Sequence, residues 1–385
     1  MQIEGKPEPA KRAIDNKTYQ QGSLFVSTLD RYISREFVKL LFLIIVSLVG
    51  LYLVVDFFER IRMFLSNHAT FLQILSYFTF EIPMIVSLML PVAVLLASLL
   101  TFGILSKNSE IIAMKANGVS LYRSSFPIIT ISIILCIVAF FLNEFLTPYA
   151  NQKAKHIKLV EVQKNEKLGF FKQNQIWFRS KDGIYNFNIF DPKTGTLKGI
   201  KINYLDRGMI LTKRIDAKRA QWKDGTWVFY DVLITRFSPG KLPTIERAKS
   251  QIINLLEEPS DFMTVQKDTE EMGYFELRKY IKNVQSEGYD AVQYMADMHG
   301  KIAFSLVSLI LAVIGVSFSL RKSERSGGIS QSIAVGIIIG FSYWIVYAFS
   351  LSLGRSGTLS PLLSAWTANI LFGAVAIYMF LKVKT

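Results

Sequence analysis

PYANQKAKHIKLVEVQKNEKLGFFKQNQIWFRS, residues 148–180, opens a long polar and charged stretch that runs to Met298. Three strongly apolar segments precede it within residues 38–147, and three follow it within residues 301–381. Apolar runs of this length read as membrane-spanning helices, because the hydrocarbon core is about 30 Å thick and a helix rises about 1.5 Å per residue. The layout predicts a polytopic α-helical membrane protein with six transmembrane helices and one inserted domain. The expected boundaries are a polar tail over 1–25, an interfacial helix with spans one to three over 26–147, and the inserted domain over 148–271. A helical connector over 272–300 and spans four to six over 301–385 complete it.

Inside the polar stretch the periodicity changes from helical to two. Tyr149 to Lys164 is a helix-like lead. Ile176-Trp177-Phe178, Ile184 to Phe187, Ile200 to Tyr204 and Trp227 to Tyr230 are short β-prone runs. Gly183, Asp191-Pro192, Gly195, Asp206-Arg207-Gly208 and Lys223-Asp224-Gly225 punctuate them as turns. An all-β domain follows, as a sandwich, a jelly roll or an open barrel-like sheet. Leu255 to Gln266 reads as a linker, and Tyr274 to Gln285 and Tyr289 to Met298 as helices.

Outward on the N-terminal side, Leu29, Tyr32, Ile33, Phe37 and Leu40 share one helical face between charged residues, the pattern of an interfacial helix entering a span. Leu40 to Phe58 is the first span, with Asp56, Glu59, Arg60 and Arg62 at its far end. Phe71 to Leu105 is too long for one vertical crossing. Pro83 and Pro91 each remove a backbone donor and predict a bend or break between them. Pro127 to Phe145 is span three. On the C-terminal side, Ile302 to Leu320, Ser330 to Leu351 and a helix opened by Pro361 are spans four to six, with Gly327-Gly328 as a turn.

Charge sets the orientation. Arg31, Arg35, Lys39, Lys107, Lys115, Arg123, Arg321, Lys322, Arg325, Lys382 and Lys384 fall on one side, which the positive-inside rule makes cytoplasmic. Both termini are then cytoplasmic and the β domain is external. The formal net charge of +14 sits largely beside apolar spans, where anionic headgroups are the simpler partner than nucleic acid. One cysteine, Cys136, excludes an internal disulfide framework, and His68, His156 and His299 offer no metal-ligand spacing. No phosphate loop, nucleophile elbow or zinc-protease histidine pair is present, so a transport or scaffold role is expected and no catalytic residue.

Two stretches are candidate functional sites. Between spans two and three, Ser106 or Ser109 can cap a short helix, Glu110 to Ala116, that Gly118 stops. It is either an ordinary interfacial turn or a coupling helix docking on a cytosolic ATPase. In the second case Glu110 pairs with a basic residue while Ile112 and Met114 fill an apolar pocket. At the outer end of span one, Arg60 and Arg62 with Leu53, Phe57 and Phe58 either contact headgroups or form a charged rim over an apolar lipid cavity. Glu81 is costly within a span unless it is paired.

Several motifs carry a resemblance to a known family. Leu29-Asp30-Arg31-Tyr32-Ile33, the run Ser109-Glu110-Ile111-Ile112-Ala113-Met114-Lys115-Ala116-Asn117-Gly118, and Leu351 to Gly357 with Pro361 to Trp366 and Asn369 resemble the lipopolysaccharide export permeases LptF and LptG. The C-terminal run is more similar to the LptG branch. The resemblance covers about residues 26–384 and implies a periplasmic β-jellyroll-like domain in a bacterial inner-membrane protein. It implies an ATP-driven ABC exporter in which this chain pairs with an LptF-like permease and two copies of an LptB-like ATPase. That ATPase would use ATP and Mg2+, with no cofactor on this chain. LptC-like and LptA-like jellyroll proteins would carry lipopolysaccharide onward.

Residue by residue, Ser109, Glu110, Ile111, Ile112, Met114, Lys115 and Gly118 would form the coupling site. Trp177, Phe178, Tyr185, Phe187, Trp227 and Phe229 are the candidate jellyroll interior, most of them simply core. Where the family carries a phosphate-binding lysine this chain has Leu53, and Glu59 replaces one of two basic residues, leaving Arg60. A permease for another lipid or lipoprotein, or a non-transporting scaffold, is the alternative.

Overall fold

The computed structural model describes residues 28–163, 170–172, 175–179, 183–191, 194–206, 210–223, 225–237, 242–253, 255, 259, 268–286, 290–322 and 329–383. The N-terminal tail, most of the 255–266 linker and the Gly327-Gly328 turn lie outside them.

Helix α1, Thr28–Ser66, is continuous, so the interfacial face and the first span are one rod. It runs two turns past Phe58, the expected end. Helix α2, Phe71–Lys107, starts on a reciprocal capping box: Gln73 N–H donates to Thr70 Oγ1 at 3.4 Å, and Thr70 N–H to Gln73 Oε1 at 2.9 Å. The break expected between Pro83 and Pro91 does not occur; both prolines lie inside the unbroken helix. Packing is the reason. In the most apolar window of α2, 72% of residues are buried, against 11% for α1, so α2 is the central helix and its neighbours keep it continuous through two missing hydrogen bonds. Ala93, Val94, Ala97, Leu99 and Phe102 along it are fully buried.

Helix α3 spans Glu110–Ala116, as the sequence predicts. Its end is a Schellman turn: Gly118 at φ 76° lets its own N–H reach Lys115 O at 2.9 Å and the Val119 N–H reach Met114 O at 3.0 Å. Ser109 departs from expectation. It sits at φ 60° and its side chain makes no capping bond. Helix α4, Leu121–Phe141, starts six residues before the expected Pro127, because Ser120 Oγ accepts from Arg123 N–H at 3.2 Å. It passes into a π-helical turn, Leu142–Leu146, then α5, Thr147–His156, and a second π-helical turn, Ile157–Val162. The polar lead is thus an extension of span three, and the whole rod covers 42 residues.

The β domain is one antiparallel sheet of eight strands: β1 Phe170–Lys172, β2 Gln175–Arg179, β3 Gly183–Phe187, β4 Ile189–Asp191, β5 Thr196–Leu205, β6 Leu211–Lys223, β7 Thr226–Arg236 and β8 Thr244–Ile253. Its order is β1-β2-β3-β5-β6-β7-β8 with β4 also on β5, an up-and-down meander. Among the described residues there is no Greek-key crossing of the kind that defines a jelly roll. Gly183 is not a turn. It opens β3, where a Cβ would stand 2.2 Å from Asn203 O of β5. Gly183→Val is therefore expected to destabilise the domain by about 2 kcal/mol. The check is a lowered tryptophan-fluorescence melting midpoint, three of the five tryptophans lying in this domain.

Helix α6, Tyr274–Ser286, returns the chain to the membrane. Span four is broken into α7, Val292–Ser305, and α8, Val307–Lys322, with a 40° bend at Leu306. Helices α9, Ile329–Arg355, and α10, Pro361–Leu381 with Pro361 in its first turn, follow. Among the described residues five helices are long and apolar enough to cross a membrane, and six if the bent pair is one span. The main core joins α1, α2, α3, α4 and α8. A second, around Leu95, Leu99, Leu311 and Tyr343, ties α2 to α8, α9 and α10.

Candidate functional site

At about 1.5 Å per residue α1 is about 58 Å long and α2 about 55 Å, well beyond a hydrocarbon core of about 30 Å. The excess lies where the two helices meet, at the end away from α3. There Phe64 of α1, Tyr77 of α2, Ala154 of α5, and Ile157 and Val162 form a separate small core shared by three helical rods. Beside it lies a cleft of about 320 Å³ lined by Tyr52, Arg60, Tyr77, Glu81, Lys155 and Lys158, among others.

Charges in this cleft are arranged in pairs. Arg60 Nε donates to Asp56 Oδ1 at 2.7 Å, one helical turn back, and the guanidinium lies 5.6 Å from the Tyr77 ring centroid. The Tyr77 hydroxyl donates to the Glu81 carboxylate, which is the partner that Glu81 requires. Lys155 Nζ reaches Asp268 Oδ2 at 2.8 Å and Glu271 Oε1 at 2.5 Å. Lys158 makes no ion pair among the described residues, and the outer nitrogens of Arg60 make no hydrogen bond. Three cations, Arg60, Lys155 and Lys158, share the cleft with four carboxylates, Glu81, Asp268, Glu270 and Glu271, so what it offers beside the apolar side chains of Met84, Ile85 and Leu88 is unengaged donor nitrogens on Lys158 and Arg60 and not a net positive charge.

Of the five candidates at this end, Arg60 alone lines the cleft. Leu53 and Phe57 are on the same helical face, seven and three residues back, and Leu53 is half-buried. Phe57 packs on Phe78 at 5.6 Å between ring centroids, and Phe58 is exposed. Arg62 is exposed and about 200° round the helix from Arg60, so the expected Arg60–Arg62 pair does not form one site. Lys155 and Lys158, from the helical lead, are cleft residues that the sequence does not mark by a motif. Their three-residue spacing on a helical lead was the available signal.

At the other end, α3 divides into two faces. Ile111 and Met114 are buried in the main core, with Ser124 Oγ donating to Met114 Sδ at 3.6 Å. Met114 is thus a packing residue, correcting its expected place in a partner's pocket: with a helical period of 3.6, Ile111 and Met114 share the inward face. Ile112, Lys115 and Ser109 face outward, Ile112 at 63% exposure. Glu110 is half-buried and accepts from Asn108 Nδ2 at 3.2 Å.

A salt bridge frames this helix. Arg123 Nη1 and Nη2 donate to the two Asp30 carboxylate oxygens at 2.8 and 2.6 Å, joining the first turns of α1 and α4. Either Asp30→Arg or Arg123→Asp should lower stability by about 1 kcal/mol, the guanidinium being half-exposed, and the double swap should recover most of it. Thermal melting of the three variants checks this.

In the sheet, Tyr185, Phe187, Trp227 and Phe229 are buried among Ile202 and Ile215 and form the domain core. Trp177 is half-buried, and the Phe178 side chain lies outside the described residues.

A family model described as lipopolysaccharide export system permease LptF/LptG matches residues 31–382. The chain belongs to that family. Lipopolysaccharide export system permease protein LptG of Escherichia coli strain K12 is 22% identical over 363 residues, covering 92% of this chain and 98% of the relative. LptG of Haemophilus influenzae strain KW20 Rd is 24% identical over 325 residues, covering 83% of this chain and 89% of the relative. Membership in the LptF/LptG family makes the chain a multi-pass inner-membrane permease component and not itself an enzyme. The span layout, the inserted sheet and the α3 helix lie within the matched residues.

Proposed function

We propose that this chain is the transmembrane subunit of an ATP-driven ABC exporter that lifts lipopolysaccharide from the inner membrane and hands it to a periplasmic bridge. In this reading α3 and both termini are cytoplasmic and the sheet is periplasmic. Ser109, Glu110, Ile112 and Lys115 face one copy of an LptB-like ATPase, which consumes ATP with Mg2+, and a second copy serves an LptF-like permease. LptC-like and LptA-like proteins continue the path beyond the sheet.

The observation that carries the reading is the polarity of the molecule along α2: an outward-facing short helix at one end and a cleft with unengaged cationic donors, Lys158 and the outer nitrogens of Arg60, at the other. A phosphorylated amphiphile matches that cleft. Its phosphates meet Arg60 and Lys158, whose hydrogen bonds to phosphate are charge-assisted. Its acyl chains lie along the exposed apolar faces of α1 and α9, including Leu51, Phe58, Phe341 and Phe349. Lifting a lipid against its own hydrophobicity needs an external energy source, and α3 is the element placed to receive it. Reconstitution with an LptB-like ATPase and an LptF-like permease in vesicles tests this. Lipopolysaccharide-stimulated ATP hydrolysis is expected, and hydrolysis indifferent to the lipid contradicts it.

A further inference from the structure

Asp297 and Lys301 stand one turn apart on α7, a spacing that favours mutual pairing. Asp297 instead accepts from Arg355 Nε of α9 at 2.6 Å. Lys301 is left without an ion pair or hydrogen bond among the described residues. It lines a second cleft of about 240 Å³, which shares Met84, Leu88, Asn151 and Glu270 with the first. An unpaired lysine in a membrane span marks a functional site more often than a packing one.

Other donors converge on the same space. Asn143 lies on the π-helical turn of span three. Its Oδ1 accepts from Ser87 Oγ at 2.8 Å, leaving its amide N–H groups free among the described residues. Thr147 Oγ1 is buried and has no partner. Arg355 uses only Nε on Asp297. Against these stand the remaining Asp297 oxygen and Glu270, while Leu88 and Phe304 supply apolar wall. A group rich in acceptor oxygens and attached to an apolar body satisfies this set.

We propose that this second cleft binds a phosphate group, with Lys301 as its charged anchor, Asn143 and Thr147 as neutral donors, and the apolar wall holding the lipid that bears it. The inference rests on the reading of the chain as a permease for a phosphorylated lipid and adds a phosphate subsite on span four. The test uses the full chain in mild detergent, with lipid A, dephosphorylated lipid A and sodium phosphate as probes, and native mass spectrometry as readout.

Lipid A should bind Lys301→Gln about tenfold more weakly than the unaltered chain, the size expected for one charge-assisted contact. Lys301→Arg should keep the affinity, and dephosphorylated lipid A should not distinguish the variants. Displacement of lipid A by millimolar phosphate, lost in Lys301→Gln, would support a site that accepts free phosphate. Resistance to phosphate with the tenfold loss intact would support a site specific for the lipid headgroup. Equal lipid A affinity in Lys301→Gln overturns the subsite and leaves the permease reading standing. Equal losses in the Gln and Arg variants make Lys301 a packing residue and also overturn it. No lipid A binding by the unaltered chain overturns both.

Discussion

Ile112→Asp and Glu110→Lys will each remove the ATPase partner from this chain on purification, while the chain itself stays folded. Ile112 is 63% exposed on a helix whose inward residues, Ile111 and Met114, already satisfy the core. An exposed isoleucine at the centre of a short helix fits the apolar anchor of an interface. Truncating such an anchor costs 2 kcal/mol or more, about thirtyfold in affinity, and placing a carboxylate there costs further desolvation. Glu110 adds the charge half of the contact, and reversal turns attraction into repulsion.

Met114 provides the control. Met114→Asp should instead destabilise the chain, by about 3 kcal/mol or more, because it buries a carboxylate in the main core. Co-purification of the ATPase with Ile112→Asp at the normal level would remove α3 from the interface. The assay is affinity purification followed by gel filtration of each variant.

Arg60→Glu is expected to reduce crosslinking of lipopolysaccharide to the outer cleft by about tenfold or more, and to abolish lipid stimulation of the ATPase. Arg60 lines the cleft and spends only one nitrogen on Asp56. The reversed charge would also face Asp56, which is 5% exposed and has one buried oxygen already without a partner. Arg60→Gln separates the two effects. It restores a neutral donor beside Asp56 yet lacks the charge, so crosslinking falls while stability largely recovers. Arg62→Glu should leave both nearly unchanged, because Arg62 points away from the cleft. Equal loss from Arg62→Glu and Arg60→Glu would mean that a diffuse outer charge is read and not this cleft.

Much of the architecture was legible because it rests on local signals. Hydropathy gave the apolar helices, and Gly118 and Pro361 marked helix ends by backbone geometry alone. What failed needed tertiary context. Strand β6 is obscured in the sequence because Lys213, Arg214, Asp216, Lys218 and Arg219 crowd it; its buried core residues are Ile215, Ala217 and Ala220, two of them small, with Trp222 packed beside them at its end. Strand β8 is an almost wholly exposed strand with no alternation to find.

The continuity of α2 through Pro83 and Pro91 depends on the helices packed round it. The order of the strands is a matter of which strands pair, and spacing does not encode that. In the site, the arginine at 60 was visible, but its separation from Arg62 is set by helical phase, and its neighbours Lys155 and Lys158 come from a segment almost a hundred residues away. The α7–α8 break at Leu306 has no proline or glycine at Ser305 or Leu306 to announce it.

The most direct test is purification of the tagged chain in mild detergent, with mass spectrometry of everything it retains, protein and lipid. An LptB-like ATPase, a second LptF-like permease and bound lipopolysaccharide, recovered together, are the predicted result. Recovery of the folded chain with neither an ATPase nor a phosphorylated lipid, across several mild detergents, would contradict the account.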